Sequence, residues 1–232
     1  MNIIATKHAV IIGAGIAGCS TAYALAQRGM RVSLIERNAE IANEASGNPL
    51  AMLYPRLSGD DAASEFALAG YLYSLRLFAS LTLGPNDFNV CGLLQLGFNA
   101  RELARIEKVA AQHYPTHLVK LLNAIEASAI AGINIAHDAL YFPGAAWVNP
   151  KTLCKRLIAH ENITLITLTN INNLLKSNDL FEIYSDDKLI ALADIVVLAN
   201  AHAAQRLLAD NASSAMQLST VRGQISLLNS TA

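Results

Sequence analysis

"HAVIIGAGIAGCSTAYALAQRGMRVSLIER", residues 8–37, decides the fold. His8 to Ile12 is a short apolar run that ends in glycine, the pattern of a strand buried on both faces. Residues 16–28 carry apolar side chains at helical spacing and stop at Gly29, a helix C-terminal signal. "MRVSLIER" (30–37) reads as a second buried strand. Strand, helix and strand in this order make one βαβ unit of a parallel sheet.

The turn inside that unit carries the chemistry. Gly13, Gly15 and Gly18 stand in G-x-G-x-x-G spacing. Gly13 permits the tight turn, Gly15 lets backbone approach a pyrophosphate, and Gly18 lets helix and strand pack closely. The start of the helix offers unpaired N–H groups to phosphate oxygens. Glu36, at the end of the second strand, is placed to accept hydrogen bonds from ribose hydroxyls. Strand, helix and acidic residue together specify a dinucleotide. NAD and FAD both use this arrangement.

Three features favour FAD. After Glu36 the chain does not run directly to a third strand but enters "EASGNPLAMLYPRLS" (44–58), polar at its start and apolar in its middle. Gly47 and Pro49 forbid a regular helix through it. A patch of short strands (163–192) is inserted before "DIVVLANA" (194–201). That late buried strand ends in Ala199, Asn200 and Ala201, small residues that let backbone approach a flat ring.

Further elements follow from periodicity and turn chemistry. A helix is expected over 61–82, a strand or bent hairpin over 88–99, and a helix over 100–113, with a helical turn or two in "NAIEASAIAG". Residues 139–150 lead from a strand into a loop. Asn149 and Pro150 then start a helix as N-cap and first helical residue. Short strands are expected over 163–169, 171–176, 180–185 and 189–192. A helix follows over 202–209 and a strand over 220–228.

Composition excludes several classes. Of 232 residues 53% are apolar and 15% charged, which suits a large core and excludes disorder. A net charge of -1 gives no support for a nucleic-acid surface built by this chain alone, since phosphate binding needs a basic face. Cys19, Cys91 and Cys154 lie far apart, without metal spacing, and read as buried free thiols in a reducing, cytoplasmic setting. The segment 66–84 carries Arg76 and Gly70 and reads as a buried helix, not a membrane span. No leader is expected, because Thr6, Lys7 and His8 interrupt the first apolar residues. No metal site, nucleophilic triad or paired carboxylates stand out.

"ASGNPLAMLYP", "CGLLQLGFN", "YFPGAAWVNP", "VVLANAH" and "VRGQIS" resemble the glycine oxidase/sarcosine oxidase/D-amino-acid oxidase group of flavoproteins. More narrowly they are similar to the FAD-dependent oxidoreductase module of the bifunctional MnmC family, which modifies wobble uridines of tRNA. The resemblance covers about residues 8–228. It implies an α/β fold: a Rossmann-type FAD-binding domain of the D-amino-acid-oxidase-like (GR2) kind, interleaved with an α+β substrate domain and truncated at its C-terminus. The boundaries expected are a first FAD-binding segment over 1–86, a first substrate-domain segment over 87–143, a second FAD-binding segment over 144–218 and the start of a second substrate-domain segment over 219–232.

The implied activity is FAD-dependent removal of the carboxymethyl group from 5-carboxymethylaminomethyl-(2-thio)uridine at position 34 of tRNA, with glyoxylate released. With a net charge of -1, the basic tRNA surface is expected mostly outside this chain. An S-adenosylmethionine-dependent methyltransferase, fused or separate, would then act on the aminomethyl product. Alternatives are an oxidase of a free small amino acid such as glycine or sarcosine, a non-catalytic FAD-binding remnant, and an NAD dehydrogenase. The implied cofactor residues are Gly13, Ala14, Gly15, Ile16, Ala17, Gly18, Glu36, Arg37, Ala45, Ser46, Gly47, Asn48, Ala51, Met52, Leu53, Ile171, Ala199, Asn200 and Ala201. Tyr54 and Arg56 are candidates for the substrate side, and Arg222 is a second candidate cation for a substrate carboxylate. Trp147 and His202 are weighed for roles near the substrate and flavin, with packing and a plain helix start as their simpler explanations. Two residues depart from the family pattern: it usually has glycine at the positions of Ala51 and Ala201.

Overall fold

A computed structural model of the chain describes residues 6–59, 61–208, 218–221 and 223. The chain divides into two compact units, one formed by residues 1–49 with 150–232 and the other by Leu50–Asn149.

The first unit is built on a parallel sheet. Strand β1 (His8–Ile12) is buried along its whole length, as its unbroken apolar sequence requires. Helix α1 (Ile16–Ala26) and strand β2 (Arg31–Ile35) complete the βαβ unit. Gly29, two residues beyond the helix cap, turns the chain in the left-handed region at φ +80°.

In the second unit, β3 (Ala51–Leu53) is followed by α2 (Ala62–Ser80), β4 (Phe88–Val90) and β5 (Leu93–Leu96). Then come α3 (Ala100–Ala110), β6 (Lys120–Leu122), α4 (Ala124–Ala131), β7 (Ala139–Phe142) and β8 (Ala146–Val148). The chain returns to the first unit with α5 (Pro150–Leu157), β9 (Ile163–Ile166), β10 (Asn173–Ser177), β11 (Leu180–Ser185), β12 (Lys188–Ala193), β13 (Ile195–Leu198) and α6 (Ala204–Leu208).

The parallel sheet has the order β13-β1-β2-β9. Residue 163, not the neighbourhood of residue 40, therefore opens the third parallel strand, whose register sets Val32 opposite Ile163. Residues 163–166 thus belong to the main sheet, and the inserted patch is the smaller antiparallel meander β10-β11-β12. The meander and the sheet share one core, in which Val10, Ile12 and Ile35 meet Leu174, Ile183, Ala193 and Leu207. Helix α1 buries only small residues, Gly18, Cys19, Ala22 and Ala26, so it lies close to the sheet and to α5.

The second unit holds two three-stranded antiparallel sheets, β3-β8-β4 and β5-β7-β6, so the bent hairpin expected over 88–99 is two strands in different sheets. Gly92, at φ +75° between them, makes the bend. Its core gathers Leu57, Ile106, Val109, Leu140 and Phe142. The compact units divide at 49/50 and 149/150, where the sequence boundaries stand at 86/87 and 143/144. The reason is pairing: β3 hydrogen-bonds along β8, and both lie in the second unit. Among the described residues no helix is long and apolar enough to cross a membrane. Helix α2 buries Ser64, Tyr71 and Phe78 and leaves Arg76 exposed. Cys91 is exposed, unlike the expectation, because it sits at the bend between β4 and β5, while Cys19 and Cys154 are buried. The expected strand at 220–228 falls largely outside the described residues.

A Cβ at Gly18 would stand 1.8 Å from the Gly13 carbonyl oxygen, which is backbone that the sheet holds. Gly18→Ala is expected to cost about 3 kcal/mol or more of stability, read from urea unfolding, with a partial loss of helix α1 packing. Asp61 caps α2, accepting from the Ser64 N–H at 2.7 Å and the Ser58 hydroxyl at 2.8 Å, and these bonds hold its carboxyl below the usual carboxylate range. Its contribution to stability is present above the unfolded-state pKa and is lost as pH falls through the lower folded value. Asp61→Asn should flatten the acid limb of Tm against pH. An unchanged limb would show that this carboxylate does not contribute to it.

Candidate nucleotide site

Every strand of the parallel sheet sends its carboxyl-terminal loop to one cleft. Its walls come from the glycine turn after β1, residues 36–38 and 42–46 after β2, residues 169–172 after β9 and residues 199–201, 203, 206 and 207 after β13. The cleft has a volume of about 360 Å³ and lies wholly within the first unit. Ligands of open α/β sheets bind at this edge, where loops diverge and helices begin.

The turn is locked by backbone bonds. The Gly13 N–H donates to the Ile35 carbonyl at 2.8 Å, and the Ala199 N–H donates to the Ile12 carbonyl at 2.8 Å. Gly13 has φ +103°, and a Cβ there would stand 2.7 Å from the Ala199 carbonyl oxygen, so only glycine fits the crossing.

Glu36 is buried and already engaged. One carboxylate oxygen accepts the Ala14 N–H at 2.9 Å, and the other accepts the Asn38 N–H and side-chain amide, each at 2.9 Å. A carboxylate has about four acceptor positions, so roughly one remains for a ligand hydroxyl. Its structural duty is to tie the end of β2 to the glycine turn. Asn38 fixes it there, a residue that carries no signal in the sequence.

Ser46 sits in the short 3₁₀ turn Ala45–Gly47. Its hydroxyl oxygen accepts the Ile16 N–H at 2.9 Å, capping the first turn of α1 from outside the helix. The Ser46 O–H hydrogen is left to donate. The Gly15 and Ala17 N–H groups have no partner among the described residues and line the cleft. Arg37 pairs with Glu44, and Lys151 pairs with Glu40, so two ion pairs brace the loop over residues 37–48.

Of the expected cofactor residues, Gly13, Gly15, Ile16, Ala17, Glu36, Arg37, Ala45, Ser46, Ile171, Ala199, Asn200 and Ala201 are brought together around the cleft. Ala14 and Gly18 are buried beneath it as packing residues. Gly47 and Asn48 lie in the loop but not on its walls. Ala51, Met52 and Leu53 belong to the second unit, where they form β3 against β8. Tyr54 packs on Phe142, ring centroids 6.3 Å apart, and Arg56 is exposed beside the Glu102–Arg105 pair. Trp147 lies opposite Met52 in the same sheet, His202 is exposed, and Arg222 falls outside the described residues. Thr169 and Asn170, Asn172 and Arg206 also line the cleft, and no sequence pattern marks them.

These walls suit the adenosine-diphosphate half of a dinucleotide. The free N–H groups and the Ser46 hydroxyl are donors, as phosphate oxygens require. Asn200 supplies the one buried side-chain polar atom without a partner among the described residues, its Oδ1, an acceptor open to a donor such as water or a ligand hydroxyl. Beneath the turn the Cys19 and Cys154 thiols touch, and this contact together with burial pushes the Cys19 thiol up, so it stays protonated. Among the described residues no cluster of His, Cys, Asp or Glu is arranged to hold a metal. Among the described residues the cleft walls carry no nucleophile–base pair.

Ala201 has φ +51°, the left-handed region where a Cβ is strained, at the position where the resemblance implies glycine. Ala201→Gly is expected to stabilise the chain by about 0.5–1 kcal/mol in denaturant unfolding without changing the fold. A destabilisation would show that the turn tolerates the methyl group without strain.

The chain is 42% identical over 223 residues to the tRNA 5-methylaminomethyl-2-thiouridine biosynthesis bifunctional protein MnmC of Methylobacillus flagellatus, a match that covers 96% of this chain and 34% of the relative. It is 40% identical to the protein of the same name from Pseudomonas fluorescens, over 97% of this chain and 34% of that one. The chain thus spans about a third of the length of the curated relatives it matches. Among solved structures it superposes on glycine oxidase from Geobacillus kaustophilus with a TM-score of 0.73 at 22% identity, covering 88% of this chain and 58% of that one, a likeness of fold. The model of the FAD dependent oxidoreductase (DAO) family, whose cofactor is FAD, matches residues 8–232, and the chain belongs to that family.

Proposed function

We propose that this chain is the FAD-binding portion of an oxidoreductase that acts on a C–N bond of a modified tRNA wobble uridine. The observation that carries the reading is the cleft at the carboxyl edge of the parallel sheet, with unpaired N–H donors, a hydroxyl and a buried carboxylate, in a chain about 40% identical to MnmC proteins. The Gly15 and Ala17 N–H groups and Ser46 would hold the pyrophosphate. Glu36 would take a ribose hydroxyl, and Asn200 a further hydroxyl. Residues 169–172 would border the adenine.

Bound FAD supplies a two-electron acceptor. In the reaction proposed, the secondary amine of 5-carboxymethylaminomethyl-(2-thio)uridine loses two electrons and two protons. Water adds at the oxidised carbon and provides the aldehyde oxygen of glyoxylate, and the primary aminomethyl group stays on the nucleoside. The chain's own residues bind and orient; none moves a proton in this reading. The substrate-binding role falls to residues 50–149 together with chain that follows the described residues. Since the relatives are named bifunctional, a methyltransferase that uses S-adenosylmethionine is the partner proposed to act next, in the cytoplasm.

The test uses a polypeptide extending this sequence to the length of its relatives, loaded with FAD. After anaerobic mixing with tRNA bearing the carboxymethylaminomethyl group, its flavin absorbance at about 450 nm should bleach, and glyoxylate should appear in equal amount. Absence of both with a correctly loaded flavin overturns the tRNA reading. Bleaching by free glycine or sarcosine, with none by the tRNA, replaces it with a free amino-acid oxidase.

A further inference from the structure

Four charged side chains line the cleft: Glu36, Arg37, Glu44 and Arg206. Three are engaged. Glu36 accepts from Ala14 and Asn38, and Arg37 is paired with Glu44. Arg206 forms no hydrogen bond or ion pair among the described residues. It is the cation at the cleft that has no carboxylate partner there.

Its position is set by the helix that bears it. Ala204 and Leu207 are buried, three residues apart, and pin α6 to the core of the first unit. Ala203 and Arg206, also three apart, face the cleft, whereas the exposed Gln205 between them is not on its walls. An arginine at a nucleotide cleft with no anion to bind among the described residues is a pre-formed counter-charge. Its planar guanidinium gives two parallel donors that match phosphate oxygens. Without it, a pyrophosphate entering this cleft would meet the charge of Glu36, neutral N–H and hydroxyl donors, and an Arg37 already paired with Glu44.

We infer that Arg206 binds the pyrophosphate of the dinucleotide, so the diphosphate is held by the backbone N–H groups of the glycine turn and by a guanidinium from α6. The inference rests on the FAD reading above and adds to it a residue that no sequence motif marks.

The experiment measures binding, not turnover. FAD, ADP and adenosine are titrated into apo-protein, wild type and the Arg206→Gln and Arg206→Lys variants, by flavin fluorescence quenching or by competition against FAD. Circular dichroism checks that each variant is folded, which an exposed side chain should permit. Arg206→Gln should weaken FAD and ADP about tenfold and leave adenosine unchanged, with a shallower salt dependence for ADP. Arg206→Lys should recover part of the loss, because charge returns without the fork. Equal weakening of ADP and adenosine would place Arg206 on the adenine and overturn the inference, as would unchanged FAD and ADP affinity. Failure of the folded wild type to bind FAD at all would instead overturn the FAD reading, and the inference with it.

Discussion

A contact with no side chain in it holds this molecule's nucleotide edge together. Gly18, in the first turn of α1, lies against the carbonyl of Gly13 so closely that a single methyl group would overlap it. That contact brings the helix start down onto the strand end, and Ala199 of the next strand's loop fills the remaining space. Everything else at the edge uses this closeness. The Ala14 N–H can reach the Glu36 carboxylate, and the Ser46 hydroxyl can reach the Ile16 N–H, only because the turn is compressed. Buried polar groups in such a place must be paired or must await a ligand. Most are paired here, and those that are not point to the cleft.

The features legible in sequence are those whose signal is local. The βαβ unit reads from apolar runs of strand and helix period punctuated by glycine, and Glu36 follows at the expected distance. The glycines read as a tight turn at Gly13, an approach for a pyrophosphate at Gly15 and a close packing of helix on strand at Gly18, and the structure has close backbone crossings at Gly13 and Gly18. The 44–58 stretch reads as one object because its polarity changes smoothly. In the structure it is divided: Ala45–Gly47 turns at the cleft, where Ala45 and Ser46 line its walls, while Ala51–Leu53 pairs as a strand of the second unit. Pairing partners 97 positions away, such as Ala51 and Val148, leave no mark in a periodicity.

Other features lack any pattern. A four-residue apolar run such as Ile163–Ile166 serves equally as meander or parallel strand, and register with Val32 decides it. Asn38, which fixes Glu36, and the apposed Cys19 and Cys154 are unremarkable until the chain is folded. Ala201 does leave a trace, since alanine stands where the resemblance implies glycine. The positive φ explains why glycine suits that place.

The insertion of residues 50–149 between the second and third strands of the sheet has a consequence for how the chain is made. During synthesis β1, α1 and β2 emerge early, but β9 and β13, which flank them, emerge more than a hundred residues later. Until then the β2 and β1 edges are unpaired and open to wrong partners. The inserted unit has its own sheets and core, so it can gather while the first strands wait. Closing the parallel sheet is then a long-range event, slow by its topology, and it completes the nucleotide edge only when β13 arrives. A dinucleotide in the surrounding solution would bind that closed state alone and draw the last step forward by mass action, acting as a folding ligand before it acts in any reaction.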